Sequence, residues 1–207
     1  MNRLKKDELK EKILEGYNES QDLRKFVKEK VRGEGIKWSE ENKSNANWTE
    51  MTKKVFKKIG KEFGYEIEDT EENKEFMALD QVWFNKENGE AVLALETENS
   101  ARIQVILKDE FRKLLNFKSD YKILIWYKKR KEEEEDEIYE KLQKKVNDHP
   151  KVLKNEVFFI IRLWQDGKVI GITIRELKKG KKRKKESNLQ VYDLDKPEDK
   201  VKEWKEE

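Results

Sequence analysis

The sequence contains no cysteine and only one histidine, His149. Without cysteine the chain has no disulfide framework, no thiolate zinc ribbon, no iron–sulfur cluster and no cysteine nucleophile. A single histidine also leaves no ligand set for a multi-histidine metal site. Any catalysis in this chain therefore has to use carboxylates, lysines or hydroxyl groups.

Long apolar runs are also absent. No stretch approaches the roughly 18 uninterrupted apolar residues that a transmembrane helix needs. The charged N-terminus, MNRLKKDELKEK, lacks the apolar segment of an export signal. We therefore expect no membrane partner and a cytoplasmic protein.

Proline is scarce, with two residues, whereas charged residues make up 45% of the chain at a net charge of only +3. So much charge is common in disordered chains, but six Trp, nine Phe and six Tyr supply core material that such chains lack. The charge is mainly Lys and Glu, which is the trend of hyperthermophile proteins, so we expect a heat-adapted protein. A pI near 8.7 permits nucleic-acid binding without requiring it.

Hydrophobic spacing divides the 207 residues into helices and strands. In chain order, the pattern predicts one or two helices over 4–32, a loop over 33–46, a helix over 48–63, strands over 65–68, 76–85 and 91–98, a helix over 101–117, a strand over 122–127, a helix ending before His149, a hairpin of 156–164 with 168–175, and a short strand over 189–193. This order predicts an α/β fold with a central mixed β-sheet flanked by helices. The strand over 122–127 should run parallel to 91–98, because a helical crossover joins them.

The same pattern predicts the domain organisation. We expect a helical N-terminal extension over residues 1–40 and one α/β domain over residues 41–207. The last hairpin is then a C-terminal elaboration of that domain.

Three acidic residues interrupt the two most apolar strands. Asp80 lies within FMALDQVWF, and Glu96 and Glu98 close AVLALETE. Side chains at positions i and i+2 of a strand share one face, so the two glutamates project together. A tight hairpin turn between the strands then places Asp80 near Thr97, between the two glutamates in register.

Such a cluster of acids is repulsive unless a cation neutralises it. Crowding raises the pKa of neighbouring carboxyl groups, and a divalent cation such as Mg²⁺ or Mn²⁺, held by oxygen ligands, relieves the repulsion. The alternative is that Glu96 and Glu98 form the solvated end of a strand and Asp80 binds a backbone amide. The position of the acids in apolar strands favours the metal site.

The order of elements around these acids resembles the PD-(D/E)XK nuclease superfamily, which has the restriction-endonuclease-like fold. The resemblance covers residues 47–127: a helix, three strands with Asp on the second and E-x-E on the third, a helix, and the apolar strand KILIWY. It implies an αβββαβ core with Mg²⁺ bound by Asp80 and Glu96. Glu98 stands where the family usually has lysine, although some restriction enzymes of the superfamily also have glutamate there.

Two further polar residues are candidates for this site. Glu50 is nearest to the extra acid that the family often has on its first helix, but it lies away from the apolar stripe, so we interpret it as solvent-facing. Gln104 lies on the inward stripe of the helix over 101–117, where a buried polar side chain needs a partner. That partner is either the carboxylate site or the backbone, and we include Gln104 among the candidate catalytic residues.

The tract KKGKKRKK carries seven positive charges in eight residues. It either attracts phosphate groups or forms a solvated hairpin loop, and both interpretations stay open. The candidate nucleic-acid-binding residues are Lys178, Lys179, Lys181, Lys182, Arg183, Lys184 and Lys185.

These features lead to two functional hypotheses. In the first, the chain is a Mg²⁺-dependent nuclease in which Asp80 and Glu96 hold the metal and Glu98 is a further ligand or the general base. In the second, it is a non-catalytic nucleic-acid-binding or assembly module on the same fold. Nucleic acid, in the first place DNA, is the expected partner, and the sequence leaves a homodimer open.

Overall fold

The computed structural model describes residues 4–19, 38–69, 79–98, 106–127, 135–166, 169–180 and 192–193. The helices within these ranges are α1 Lys6–Glu19, α2 Trp38–Glu62, α3 Phe111–Asn116 and α4 Glu135–Asp148, with a π-helical turn, Ile106–Glu110, leading directly into α3. The strands are β1 Glu66–Asp69, β2 Gln81–Phe84, β3 Ala91–Glu98, β4 Tyr121–Tyr127, β5 Val157–Asp166, β6 Val169–Leu177 and β7 Tyr192–Asp193. No helix in this part of the chain is long and apolar enough to span a lipid bilayer.

The strands of the described residues form a single sheet in chain order. Strands β1, β2 and β3 are antiparallel, β3, β4 and β5 are parallel, and β5, β6 and β7 are again antiparallel. The β2–β3 hairpin turns through Gly89, whose φ of 68° strains any residue with a side chain. The parallel neighbours are joined through α3 and α4, which supply the necessary crossovers. The predicted α/β fold with a central mixed sheet flanked by helices is confirmed, as is the parallel pairing of β3 with β4.

Helices cover both faces of the sheet. In β4, Ile123 and Ile125 pack with α1 and α2, whereas Leu124 and Trp126 pack with α3 and α4. The strand is apolar throughout because neither face is left to solvent. The side chains that α1 and α2 contribute to the first core are chiefly Leu9, Ile13, Tyr17, Val55, Phe56 and Ile59.

The helix α1 belongs to the same apolar core as the sheet, and its apolar side chains are buried there. It approaches α2 closely at Gly16, where an added Cβ would lie only 2.8 Å from Cγ1 of Val55. The division of the chain into an extension over 1–40 and a domain over 41–207 remains a prediction.

The helix α2 begins at Trp38, inside the segment 33–46 that the sequence pattern predicts as a loop. That expectation is wrong from residue 38 onward, because this stretch contains neither glycine nor proline to stop a helix. The helix has 25 residues and is therefore about half as long again as the helix over 48–63 that its apolar stripe predicts.

The strand β2 is shorter than the segment 76–85 in which it is predicted. Residues 76–78 lie outside the described residues, and Asp80 directly precedes β2. Its backbone N–H nevertheless donates a hydrogen bond to the carbonyl oxygen of Leu95 at 3.1 Å. Asp80 therefore lies at the end of the β2–β3 pair rather than within it.

Candidate functional site

Hydrogen bonds hold Asp80 to the end of β3. Gln81 pairs with Leu95 in the antiparallel ladder, which brings Asp80 beside the last residues of β3. Oδ2 of Asp80 accepts hydrogen bonds from the backbone N–H of Thr97 at 2.6 Å and from the Thr97 hydroxyl at 2.5 Å. The contact between Asp80 and Thr97 is the one that the hairpin register predicts.

Glu96 lies on the α3 side of β3 with only 1% of its surface exposed. Its Oε2 atom is 3.4 Å from Nζ of Lys113, and its carboxyl group shares a hydrogen bond with the carboxyl group of Glu110. Lys113 also pairs with Glu110, with Nζ 2.5 Å from Oε2. The helix α3 and the turn before it thus bring one acid and one cation to Glu96.

The pKa values of both Asp80 and Glu96 are raised, chiefly because burial disfavours the charged form. For Asp80, the two hydrogen bonds from Thr97 offset part of this effect on the pKa. For Glu96, the hydrogen bond with Glu110 and the charge of Asp80 add to burial and hold the pKa well above the usual carboxyl range.

The pKa of Glu110 shifts in the opposite direction from that of Glu96. Burial works against a charged Glu110, but hydrogen bonds from Glu96 and Lys113 outweigh it and lower the Glu110 pKa. The sequence suggests that repulsion between neighbouring carboxyl groups raises their pKa values. This repulsion does contribute, but burial contributes more.

Glu98 is the last residue of β3 and lies in register with Trp126 of β4. Alternation along the strand places it on the same face as Glu96, but Glu98 is partly exposed whereas Glu96 is buried. The two glutamates thus provide one buried and one solvent-accessible carboxyl group. Gln104 lies outside the described residues.

A second polar network lies next to Asp80 on the α2 side of the sheet. The buried Gln81 amide donates to the carbonyl oxygen of Lys53 at 3.2 Å and to Oδ1 of Asp69 at 2.7 Å. Nζ of Lys57 is 2.8 Å from Oδ2 of Asp69, and Nζ of Lys53 is 4.0 Å from Oδ1. Lys53 is also close enough for its charge to act on Asp80. This network fixes α2, β1 and β2 against one another beside Asp80.

Sequence reasoning missed Glu110, Lys113 and Lys53. Glu110 and Lys113 are three positions apart, which is the spacing of neighbours on one helical face. This spacing indicates that the two residues form an acid–cation pair. The signal is weak in a chain in which 45% of residues are charged. Glu50, by contrast, is exposed and pairs with Lys54 at 2.8 Å, as its interpretation as a solvent-facing residue requires.

Only the first part of the basic tract lies within the described residues. Nζ of Lys178 is 3.3 Å from Oε1 of Glu176, and Nζ of Lys179 donates to the carbonyl oxygens of His149 at 2.8 Å and Val152 at 2.9 Å. The tract begins where β6 meets the start of β5, at the opposite end of the parallel strands from Glu96 and Glu98. Residues 181–185 lie outside the described residues.

A groove of about 490 Å³ also opens at that opposite end of the strands. Apolar side chains of Tyr65, Val92 and Leu153 line it together with charged Glu90 and Lys118. None of the candidate metal ligands lines this groove. The acids of the candidate site are instead gathered beside the last residues of β3.

Asp80 and Glu96 fit the usual mode of Mg²⁺ binding. The residues that the structure describes contain no group of three or more acidic or histidine side chains arranged to hold a metal ion. Mg²⁺ is commonly held by only one or two carboxylates, however, with water and substrate phosphate completing its coordination. Oε1 of Glu96 is buried and receives no hydrogen bond from any described residue, so a cation bound there would compete only with the contact between Glu96 and Glu110. Comparison with known proteins adds nothing to this fit, since no family model, no curated protein and no solved structure matches the chain.

Proposed function

We propose that the chain is a Mg²⁺- or Mn²⁺-dependent nuclease that hydrolyses phosphodiester bonds of nucleic acid. The observation that carries this proposal is that Asp80 is hydrogen-bonded to Thr97, the residue next to the buried Glu96, and lies close enough for its charge to act on Glu96. Buried carboxyl groups with raised pKa values are unfavourable for folding, and they concentrate at functional sites. A divalent cation between these two groups turns their repulsion into attraction.

The order of elements around the acids also supports the proposal. The elements α2, β1, β2, β3, α3 and β4 follow one another in the αβββαβ order of the PD-(D/E)XK superfamily. Asp80 lies at the start of the second strand and Glu96 on the third, as the resemblance implies. Membership of that superfamily is part of the proposal.

In the proposed mechanism each acidic residue has a separate task. Asp80 and Glu96 would hold Mg²⁺, which when bound would supply a Lewis acid for the scissile phosphate and for the attacking water. Glu98, at the solvent-accessible end of β3, accepts a proton from the attacking water or serves as a further ligand. The water oxygen forms a bond to phosphorus while the P–O bond to the leaving group breaks, and the leaving oxygen takes a proton from solvent. Thr97 holds Asp80 in place through its two hydrogen bonds.

Nucleic acid, in the first place DNA, is proposed as the substrate because of the basic tract over 178–185. Phosphate backbones are recognised mainly by clustered lysine and arginine, without regard to sequence. Lys178 and Lys179 already have partners within the chain, so the proposed contacts rest mainly on residues 181–185. The tract begins away from the acids and would therefore strengthen binding rather than take part in the chemistry.

One observation favours a second function, a non-catalytic nucleic-acid-binding or assembly module. Lys113 and Glu110 already contact Glu96, so the buried carboxyl group is partly compensated without a metal. Glu98 also occupies the position at which the superfamily usually has lysine. If the protein binds nucleic acid but does not cleave it, this second function is the correct one.

The substitution Asp80→Asn tests the nuclease proposal. We expect cleavage of DNA in Mg²⁺ or Mn²⁺ to fall by about 100-fold or more, because loss of groups that only support a metal site already costs up to about that much. The rise in Tm that the metal gives the wild-type protein should also disappear, since a metal that binds only the folded state stabilises it. Without metal, the variant should be at least as stable as the wild type, because a charge near Glu96 is removed while an acceptor for Thr97 remains.

The matched control is Asp109→Asn, which neutralises an exposed acid on the π-helical turn. It should leave both cleavage and the metal-induced rise in Tm unchanged. The proposal is contradicted if Asp80→Asn keeps both properties. A wild-type protein that gains stability from metal but cleaves nothing would leave the binding module as its function.

A further inference from the structure

The helix α3 places a lysine beside the acids, although the E-x-E motif of β3 contains no lysine. The resemblance places lysine at position 98, where this chain has Glu98. Lys113 approaches from the helix instead, with Nζ 3.4 Å from Oε2 of Glu96 and 2.5 Å from Oε2 of Glu110. The α3 helix packs against β3, so this cation is held beside the buried acid.

We propose that Lys113 is a further catalytic residue, whose ammonium group binds the scissile phosphate beside the acids Asp80 and Glu96. This inference rests on the proposed nuclease function and deepens it, because it assigns the cation that contacts the substrate. The alternative is that Lys113 has a structural role only and holds α3 against β3 through ion pairs.

The hydrogen-bonding capacity of Lys113 suits this role. An ammonium group carries three N–H donors. Within the described residues, two of them are directed at Glu96 and Glu110. One donor is left for a phosphate oxygen without breaking either contact.

Solvent access separates Lys113 from Lys53 and Lys122, the buried lysines of the described residues. Its side chain is 28% exposed, whereas Lys53 is 10% exposed and Lys122 is fully buried. Lys53 lies across the sheet beside Asp69, and Lys122 pairs with Glu156 at 2.8 Å. Among these three lysines, Lys113 alone both contacts Glu96 and can be reached by a substrate.

The neighbouring Glu110 explains how Lys113 and a metal can act together. In the metal-free chain Lys113 balances the acids Glu96 and Glu110. With a metal ion at Glu96, Lys113 would no longer be needed to balance that acid, and Glu110 would keep the ammonium group beside the site. A cation already fixed in place stabilises the negative charge that develops on the phosphate, and it needs no rearrangement during the reaction.

The test measures kcat and KM on labelled DNA in Mg²⁺ for Lys113→Gln, Lys113→Arg and the control Lys108→Gln. Lys108 is an exposed lysine of the π-helical turn. We expect Lys113→Gln to lower kcat by about 100- to 1,000-fold, the usual effect of removing one charge-stabilising donor, with a smaller change in KM. Lys113→Arg should recover part of kcat because it keeps the charge, and Lys108→Gln should behave as the wild type.

Thermal unfolding supplies a readout that does not depend on activity. Without metal, Lys113→Gln should have a lower Tm than the wild type, because Glu96 and Glu110 lose their counter-charge. The rise in Tm on adding Mg²⁺ should be larger than in the wild type, since the metal then supplies the missing charge. If Lys113→Gln does not fold, the double variant Glu110→Gln, Lys113→Gln removes both charges of the pair and carries the same kinetic test.

Three outcomes overturn the assignment. A purely structural Lys113 would give a lower Tm with kcat close to that of the wild type. Loss of the Mg²⁺-induced rise in Tm in Lys113→Gln would make the lysine part of the metal site rather than a phosphate contact. A wild-type protein that neither cleaves DNA nor responds to Mg²⁺ removes the proposed function and this inference together, and it is recognised without any variant.

Discussion

Two aspartates, the buried Asp69 and the partly buried Asp80, differ in how the chain compensates their charge. Burial opposes ionisation of both, but hydrogen bonds from Lys57 and Gln81 outweigh burial at Asp69 and lower its pKa. At Asp80 the hydrogen bonds from Thr97 and the charge of Lys53 do not outweigh burial, and the pKa stays raised. The contacts of Asp69 thus favour its charged form, whereas the surroundings of Asp80 favour its neutral form.

The lowered pKa of Asp69 predicts how stability should depend on pH. A carboxyl group with a lower pKa in the folded than in the unfolded state stabilises the fold above the unfolded pKa, and this contribution is lost as the pH falls through the folded pKa. Asp69→Asn should therefore cost about 2 kcal/mol at pH 7, the usual size for hydrogen bonds to a charged group. The difference from the wild type should shrink as the pH falls below the ordinary aspartate pKa of 3.8.

Urea unfolding over a series of pH values measures this difference. Asp109→Asn is the control, because its exposed side chain should give a small difference that stays constant with pH. A constant loss of stability in Asp69→Asn at every pH would mean that the interaction with Lys57 contributes through packing and not through charge.

At the scale of secondary structure, most elements could be predicted because their signals are local. The apolar runs of β3 and β4 bury both faces, which predicts strands in the covered centre of a mixed sheet. The start of α2 could not be predicted in this way, since the residues from Trp38 onward carry few apolar side chains to mark a face. Periodicity detects a helix by its apolar face, so it gives no signal where the sequence has few apolar residues.

In the candidate site, too, local contacts could be predicted from the sequence and contacts between distant elements could not. The contact between Asp80 and Thr97 follows from one hairpin, so the sequence was enough to predict it. The approach of Glu110 and Lys113 to Glu96 depends on how the crossover helix α3 packs onto β3. Helical spacing gives the face on which a residue lies but not the residue that it meets, and these contacts therefore needed the structure.

The packing of α1 on α2 leads to a prediction at Gly16. Replacing glycine by alanine inside a helix usually stabilises it by about 1 kcal/mol. Here the new Cβ would lie 2.8 Å from Cγ1 of Val55 and 3.2 Å from Cδ1 of Ile59, so that either these side chains or α1 would have to shift. We expect Gly16→Ala to destabilise the protein by about 1–3 kcal/mol, the usual range for overpacking.

Chemical denaturation of Gly16→Ala beside Glu11→Ala checks this prediction. Glu11 is exposed on the same helix, so its replacement should change stability by no more than about 0.5 kcal/mol. If Gly16→Ala proves more stable than the wild type, helix propensity dominates and α1 does not pack tightly at this position.

Across the whole molecule, positive and negative charges nearly cancel, yet their distribution along the chain is uneven. The net charge is +3, but the tract over 178–185 holds seven basic residues in eight. If nucleic acid is bound through this tract, affinity should depend on these local charges and hardly on the net charge. Replacing residues 181–185 with glutamine should then weaken binding to every DNA sequence alike.

The size of the effect follows from counterion release. Each lost contact with a duplex phosphate should reduce the slope of log K against log[salt] by about 0.9. Fluorescence anisotropy with labelled duplexes at several salt concentrations measures this slope, and an Asp80→Asn background keeps the DNA intact during the titration.

A second variant separates local charge from net charge. It replaces five exposed lysines of α4 and the loop after it, which removes the same amount of charge from another surface: Lys141, Lys144, Lys145, Lys151 and Lys154. If net charge governs binding, both variants lose affinity and slope equally. If the tract contacts phosphates, only the first variant does so. Unchanged affinity and slope in the first variant would make the tract a solvated loop, and nucleic acid would then have to bind through another surface.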